Sequence, residues 1–286
     1  MIARKGKWFQ AKFSFRQTYL RAMRVELTFT GTGTSQGVPV IGCNCVVCQS
    51  TDVRDKRLRT SAIIQAGNQV VSIDAGPDFR QQMLRAACTA LSAVVFTHEH
   101  KDHVAGLDDV RAYNFIQKRV MPIFATENVE QALRREFHYV FSDNPYPGIP
   151  RIALNRITQE PFQVGEATWW PLPVKHGGLQ VTGYRIGGVA YITDANRIEP
   201  LAWERLKGVD VLVLNALRKE QHVSHFTLSE ALRVIEKVAP REAYLTHFSH
   251  QMGRHGALEV ELPSGVYPAY DGLHVASEAP AYEAAS

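Results

Sequence analysis

"THEHKDH", residues 97–103, decides how this chain is read. From His98 to His103 it holds three histidines and one aspartate, directly after the apolar run "LSAVVFT" (91–97). Imidazole and carboxylate groups are costly to bury unless they are paired or coordinate a cation, so packing alone does not explain such a run. The apolar stretch has the character of a buried strand, and the polar cluster begins where that strand ends. Strand ends in layered folds are where loops carry chemistry. His98 and His100 are two residues apart and point the same way in extended chain. Asp102 and His103 are adjacent, at the expected start of a helix. The pattern offers two pairs of ligands to two neighbouring cations. Imidazole with carboxylate suits zinc, manganese or iron better than magnesium or calcium.

Outward from this stretch, strands and helices alternate. "RVELTFT" (24–30) reads as a strand, and "SAIIQA" (61–66) with "QVVSIDA" (69–75) reads as a hairpin closed by Gly67-Asn68. "DFRQQMLRAA" and "ENVEQALRREFHYV" (127–140) read as helices, and "SDNPYPGIP" (142–150) as a loop. A second strand-rich half holds "ATWWPLPV" (167–174), "LQVTGYRIG", "VAYITDA" (189–195), "VDVLVLNA" (209–216) and "EAYLTH" (242–247), with the helix "TLSEALRVIEKVA" (227–239). Two halves that each begin in strands and gain helices predict two sheets packed together with helices outside.

Composition sets the class. The chain has 286 residues and 45% hydrophobic content, the range of an ordinary globular protein. No apolar run approaches the ~20 residues of a membrane-spanning helix. The first residues, "MIARKGKWFQAKFSFRQTYLRA", lack the apolar core of a signal peptide, so the expected location is the cytoplasm. Residues 1–22 carry six basic groups (Arg4, Lys5, Lys7, Lys12, Arg16, Arg21) and no acidic one. The remainder holds 26 basic against 28 acidic residues, so the overall charge of +4 belongs to this segment and is weak evidence for a nucleic-acid partner. The segment is expected to be a disordered extension, with Met23 as the functional first residue.

A second constellation is "GCNCVVC", with Cys43, Cys45 and Cys48. Three cysteines cannot all pair, and disulfides are not expected in a cytosolic chain. Three thiolates suit a structural zinc, which needs a fourth protein ligand. Cys88, in "RAACTA", reads as core on an apolar helix face. His250, three residues after His247 in "YLTHFSH", is the better fourth ligand.

T-H-x-H-x-D-H resembles the signature of the metallo-β-lactamase superfamily, over nearly the whole chain (24–275). The resemblance implies an α/β fold, a four-layer αββα sandwich forming a single domain over 23–276, with 277–286 as a tail. It also implies further ligands at strand ends: His176 in "PVKHGG", Asp194 in "YITDAN" and His247 in "YLTHFSH". By this resemblance His98, His100 and His176 hold one metal, Asp102, His103 and His247 the other, and Asp194 bridges them. Asp74, in "SIDAGPD", matches a family motif that orders the ligand loops. Two adjacent cations lower the pKa of a shared water, so hydroxide exists near neutral pH. The cysteine cluster with His250 is similar to the PhnP-like cyclic phosphodiesterase branch, a relative of tRNase Z. "AGLDDVRAYNF" (105–115), "HQMG" (250–253) and "LPSGVYPAYDGL" (262–273) carry the same likeness.

The resemblance implies two catalytic divalent metals, zinc or manganese, and one structural zinc. Its expected activity is hydrolysis of a small or cyclic phosphodiester. Phosphodiesterases of this superfamily carry a histidine ahead of the last long helix, and His225 in "HVSHFTLSEAL" matches it better than His222. Its expected role is to protonate the leaving oxygen or bind a phosphate oxygen. Asp102 is counted with it as catalytic, and Arg111 and Asn114 are candidates for reaching substrate. A small-molecule phosphodiester is the expected partner, not a nucleic acid or a membrane, and a homodimer is implied by the branch. The alternatives are a thioesterase or lactonase, a tRNase Z-like nuclease, and a non-enzymatic scaffold related to cofactor biosynthesis. The nuclease would need a long Gly/Pro-rich basic arm, which is not found here. Scaffold relatives tend to lose ligands, whereas all seven are present.

Overall fold

The structure is a computed structural model and describes residues 23–142, 146–279 and 282. The basic segment 1–22, expected to be disordered, lies outside the described residues. The first sheet contains β1 (Val25–Gly31), β2 (Ser61–Ala66), β3 (Gln69–Ile73), β4 (Ala93–Val95), β5 (Met121–Ala125) and β6 (Ile152–Arg156), with β15 (His274–Ser277) returning from the end of the chain. Their order is β15-β1-β2-β3-β4-β5-β6. The second sheet contains β7 (Phe162–Val164), β8 (Ala167–His176), β9 (Leu179–Ile186), β10 (Val189–Ile192), β11 (Arg197–Ile198), β12 (Val211–Asn215), β13 (Glu242–Thr246) and β14 (Val266–Pro268). Its order is β11-β8-β9-β10-β12-β13-β14, with β7 paired to β8.

Helices cover both outer faces. Against the first sheet lie α1 (Phe79–Arg85), α2 (Lys101–Val104), α3 (Arg111–Gln117) and α4 (Glu127–Glu136). Against the second lie α5 (Pro200–Leu206), α6 (Leu228–Val238) and α7 (His255–Glu261). The period-two alternation of the strands explains the layering. In the first sheet Leu27, Phe29, Ile64 and Ile73 face inward and meet Trp169, Tyr184, Ile186 and Val213 of the second. The alternate residues Val94 and Ile123 face outward onto Phe79, Met83 and Leu133. In the second sheet Leu172, Ile192, Leu212 and Leu214 face outward onto Ala202, Val234, Ile235 and Leu258. Both faces of the central strands are thus covered, which is why they read as unbroken apolar runs. The result is the expected αββα sandwich.

The strand directions position the site. β3, β4, β5 and β6 run parallel, as do β10, β12, β13 and β14. Their carboxyl ends deliver Asp74, His98, Asp194 and His247, the edge at which open α/β sheets place ligands. Among the bonds that join the sheets at this edge, the Tyr184 hydroxyl donates to Phe96 O at 2.5 Å and Thr182 N to Thr97 O at 3.0 Å.

The hairpin expected at Gly67-Asn68 is present, with Gly67 at φ 58°. The helix expected over 127–140 stops at Glu136, and a separate 3-10 turn follows at His138–Phe141. Residue 277, assigned to the tail, belongs to β15 and pairs with Val25. Strand β5, "MPIFA", is short and interrupted by Pro122, and α5 and α7 span seven residues each, too few for a periodic signal.

Candidate metal centre

Local backbone geometry presents the ligands. His98 follows β4 by three residues, and His100 is the N-cap of α2, so Asp102 and His103 fall in that helix's first turn. This is the strand-to-helix switch expected from "THEHKDH". The helix is seated against Gly76: a Cβ there would stand 1.9 Å from Asp102 O. Ala75 N donates to His103 O at 2.9 Å, locking the same contact. Asp74, Asp194 and His247 all adopt left-handed backbone conformations, with φ of 66°, 49° and 63°. Each costs on the order of 1–3 kcal/mol for a residue bearing a Cβ. Each turns a side chain back over the sheet edge immediately after its strand, instead of letting it follow the strand outward.

The side chains converge. The His98, His100 and His176 rings surround one point, with centroids 4.6, 5.2 and 5.8 Å apart. Asp194 lies between this group and the other side. Its Oδ2 is 3.3 Å from His103 Nε2, and its Oδ1 is 3.3 Å from His247 Nε2 and 3.1 Å from His225 Nε2. Asp102 Oδ2 approaches His103 Nε2 at 3.3 Å. The tightest donor groups are His98, His103 and Asp194, and His176, Asp194 and His225, each within 4.8 Å. They cut across the partition implied by the resemblance, but Asp194 is common to both, as a bridging ligand would be.

Supporting hydrogen bonds fix which nitrogens face inward. His103 Nδ1 donates to Asp74 Oδ2 at 2.7 Å, and His176 Nδ1 donates to Ser224 O at 2.7 Å. His247 Nδ1 meets Thr60 Oγ1 at 3.1 Å. Each ring is left with Nε2 toward the centre, the usual arrangement of a metal-bound histidine held by an outer partner. Asp74 is itself held by Thr97 N and Thr97 Oγ1, at 2.8 and 2.9 Å, so it orders the loop as expected. Nothing in the sequence signalled Thr60 or the Ser224 carbonyl, because neither type at its position is unusual.

The electrostatics call for a cation. His98 Nε2 and His103 Nε2 are buried without a hydrogen-bond partner. A neutral His103, its proton on Nδ1, would aim a lone pair at the carboxylates of Asp102 and Asp194. Burial opposes charge on His103, yet Asp194, Asp74 and Asp102 together hold its pKa well above the ordinary value. A proton there does what a divalent cation would do. Burial lowers His98 and His176, and holds His247 down at about 4, so these rings are neutral donors at physiological pH. Burial raises Asp194, but the nearby His247 and His103 outweigh it and keep it ionised. Neutral imidazoles around ionised carboxylates are the donor set that zinc or manganese takes.

The cysteine cluster closes with the residue expected. Sγ of Cys43, Cys45 and Cys48 lie 3.2, 3.4 and 3.6 Å from His250 Nδ1. A tetrahedral zinc with ordinary bond lengths separates sulfur and nitrogen ligands by about 3.6 Å. The backbone N–H of Cys48 is the main cause holding the Cys45 thiol down at about 6, toward the metal-binding thiolate. Cys88, expected as core on a helix face, instead lies half-buried in the loop three residues past α1, bonded to Ala90 O and apart from the cluster.

The remaining candidates separate. His225 is buried with its ring 4.3 Å from that of His176 and 4.8 Å from that of His247, so it borders the centre directly. Thr227 caps α6 in a reciprocal capping box with Glu230, which fixes the loop carrying His225. Asn114 is turned into the scaffold. Its amide donates to Arg119 O and Arg151 O and accepts from Arg151 N, leaving little capacity for a substrate. Arg111 is half exposed and pairs with Asp108 at 3.4 Å.

Comparison with known proteins agrees with this geometry. Residues 69–248 match the family model described as "Beta-lactamase superfamily domain". A crystal structure of "a New Diphosphatase from the PhnP Family" is 40% identical, with a TM-score of 0.84, covering 89% of this chain and 98% of that one. Human tRNase Z, short form, shares the fold at 16% identity, with a TM-score of 0.64 over 87% of this chain and 98% of that one. An octanoyltransferase of Porphyromonas gingivalis is 43% identical over 247 residues, 85% of this chain and 50% of that protein. This chain therefore spans about half the length of that curated relative. With candidate donors at its strand ends and these matches over most of its length, the chain belongs to the β-lactamase superfamily, within its PhnP family.

Proposed function

We propose that this chain is a dinuclear metal-dependent hydrolase acting on a small or cyclic phosphodiester or a related diphosphate linkage. The observation that carries the reading is the position of His225. Beyond the seven metal donors the centre holds one more buried imidazole, with Nε2 3.1 Å from Asp194 Oδ1. When bound, the two cations supply a water acidified near neutral pH and positive charge opposite the anionic reacting group. His98, His100 and His176 would hold one, Asp102, His103 and His247 the other, with Asp194 between them. His225 is placed to deliver a proton to the departing oxygen, and its Nδ1, 3.2 Å from His222 Nδ1, connects it to a second imidazole. The named activity of the 40% identical diphosphatase supports phosphoryl chemistry.

A second reading, hydrolysis of an acyl thioester or lactone, is favoured by the 43% identical relative named for octanoyl transfer. One experiment separates the two. Zinc- and manganese-loaded protein is assayed on a cyclic nucleotide, an alkyl phosphodiester, bis(p-nitrophenyl) phosphate and an octanoyl thioester. An alkoxide needs a proton to leave, whereas an aryl oxide or a thiolate does not. His225→Ala is expected to slow the alkyl and cyclic diesters by roughly 10²–10⁴-fold and the p-nitrophenyl ester far less. Metal content should stay at the wild-type value. Equal losses on both would rule out the proton-donor role, loss of a metal equivalent would make His225 a ligand, and turnover of the thioester alone would favour the second reading.

A further inference from the structure

Arg57 is buried, at 4% exposure, and no carboxylate among the described residues lies in ion-pair contact with it. A buried guanidinium without a direct counter-charge is expensive to retain, so its contacts should account for it. Its Nη1 donates to Thr32 Oγ1 at 2.8 Å and to Ala269 O at 2.6 Å. Its Nη2 meets His255 Nδ1 at 3.2 Å. The guanidinium lies over the Phe248 ring, 4.6 Å from its centroid. Arg57 also exchanges two backbone bonds with Val38, at the entry to the cysteine loop. The side chain thus ties together the end of β1, the start of α7, Phe248 and the segment after β14, while the backbone of the same residue holds the approach to the cysteines.

Phe248 is the point of interest. It follows His247, whose left-handed φ of 63° aims the ring at the metal centre, and it precedes His250 of the cysteine cluster by two residues. Its N–H donates to Thr32 O at 2.9 Å and its carbonyl accepts from Thr34 N at 3.0 Å. Arg57 therefore grips Phe248 through its ring and, through Thr32, through its backbone partner. We infer that Arg57 is a positioning residue that holds Phe248, and with it the preceding His247, in the conformation that faces the catalytic pair. Lysine cannot replace it: an ammonium has no planar fork to reach Thr32 and Ala269 while stacking on an aromatic face. Burial lowers the Arg57 pKa only to about 10, so the charge persists at neutral pH.

The inference rests on His247 being a ligand of the catalytic pair, and the test separates the two ideas. Zinc is withdrawn from the loaded full-length protein by titration with a chromogenic chelator, which reads each equivalent. His247→Ala identifies the equivalent that depends on that residue, and His98→Ala the other. Arg57→Met is expected to weaken the His247-dependent equivalent about tenfold or more, the usual effect of removing an outer support of a ligand. The His98-dependent equivalent should move less than about twofold by the same reasoning. Arg57→Lys should behave like Arg57→Met, and Phe248→Leu should show the same selective weakening with Arg57 intact. If Arg57→Met does not fold, Phe248→Leu decides. Equal weakening of both equivalents, or of neither, overturns the inference and leaves the ligand assignment standing. Retention of every equivalent in His247→Ala overturns both.

Discussion

Asp74 shows how one residue can matter without touching the chemistry. It sits after β3 at a left-handed φ of 66° and accepts from Thr97 N, Thr97 Oγ1 and His103 Nδ1. The last bond fixes the His103 tautomer and directs Nε2 inward. Asp74→Asn keeps the shape but removes the charge and one acceptor. It is expected to weaken the metal bound by His103 roughly 10- to 100-fold, read by chelator competition, with smaller loss at the other equivalent. A residue of this kind was legible only through a family motif. The composition of "SIDAGPD" gives no reason to prefer Asp74 over Asp78, which instead forms a half-buried pair with Arg59 at 2.9 Å.

At the scale of elements, the centre depends on a four-residue helix too short to be stable alone. α2 is held by packing against the β3–α1 turn, where Gly76 lies against Asp102 O and Gly106 against Gly76 O. Gly106 N donates to Ala75 O at 2.8 Å, closing the contact from the other end of the helix. Gly76→Ala would drive a Cβ to 1.9 Å from the Asp102 carbonyl, so α2 must shift. The expected outcome is a lower Tm and loss of the equivalent held by Asp102 and His103, checked by calorimetry and metal analysis on the same sample. Wild-type metal content in Gly76→Ala would show that α2 can slide without disturbing its ligands. The helix start was readable from the ligand spacing; the glycine-to-helix contact was not, because it joins residues 76 and 102 through space.

For the whole molecule, the buried histidines set the pH response of the metal-free protein. His247 and His255 are held at about 4, chiefly by burial, and burial also lowers His98 and His176. Unfolded, these rings titrate near 6.5, so between that pH and about 4 the unfolded state binds more protons and stability falls as pH falls. His247 alone contributes a loss on the order of 3 kcal/mol across this window. His103 has the opposite sign: its raised pKa stabilises below 6.5, and this is lost as pH rises through the folded-state value. Asp194, depressed, contributes stability that is present above the ordinary carboxylate pKa near 3.9 and is lost as pH falls through and below it, adding to the decline at the acidic end. Denaturant titrations in EDTA are expected to show greatest stability near pH 6.5, with a steep acidic decline. A flat profile from pH 6.5 to 4 would contradict the neutral-histidine description.

Layering and donor chemistry were both legible in the residue pattern. Unbroken apolar runs of strand length mark strands buried on both faces, and a dense His/Asp cluster at a strand end calls for a cation or a partner. "GCNCVVC" likewise called for a fourth donor from elsewhere in the chain, and His250 is the residue whose ring lies against the three sulfurs. Which donors share a centre became visible once the sandwich had closed. Asp194 and His247 come from strands far from His98 in the chain, and their left-handed turns are set by contacts that no local pattern encodes. The same reason hid Arg57, whose partners Thr32, Phe248, His255 and Ala269 are spread over most of the chain. Donor type is a property of a residue and its neighbours, whereas donor geometry is a property of the closed sandwich.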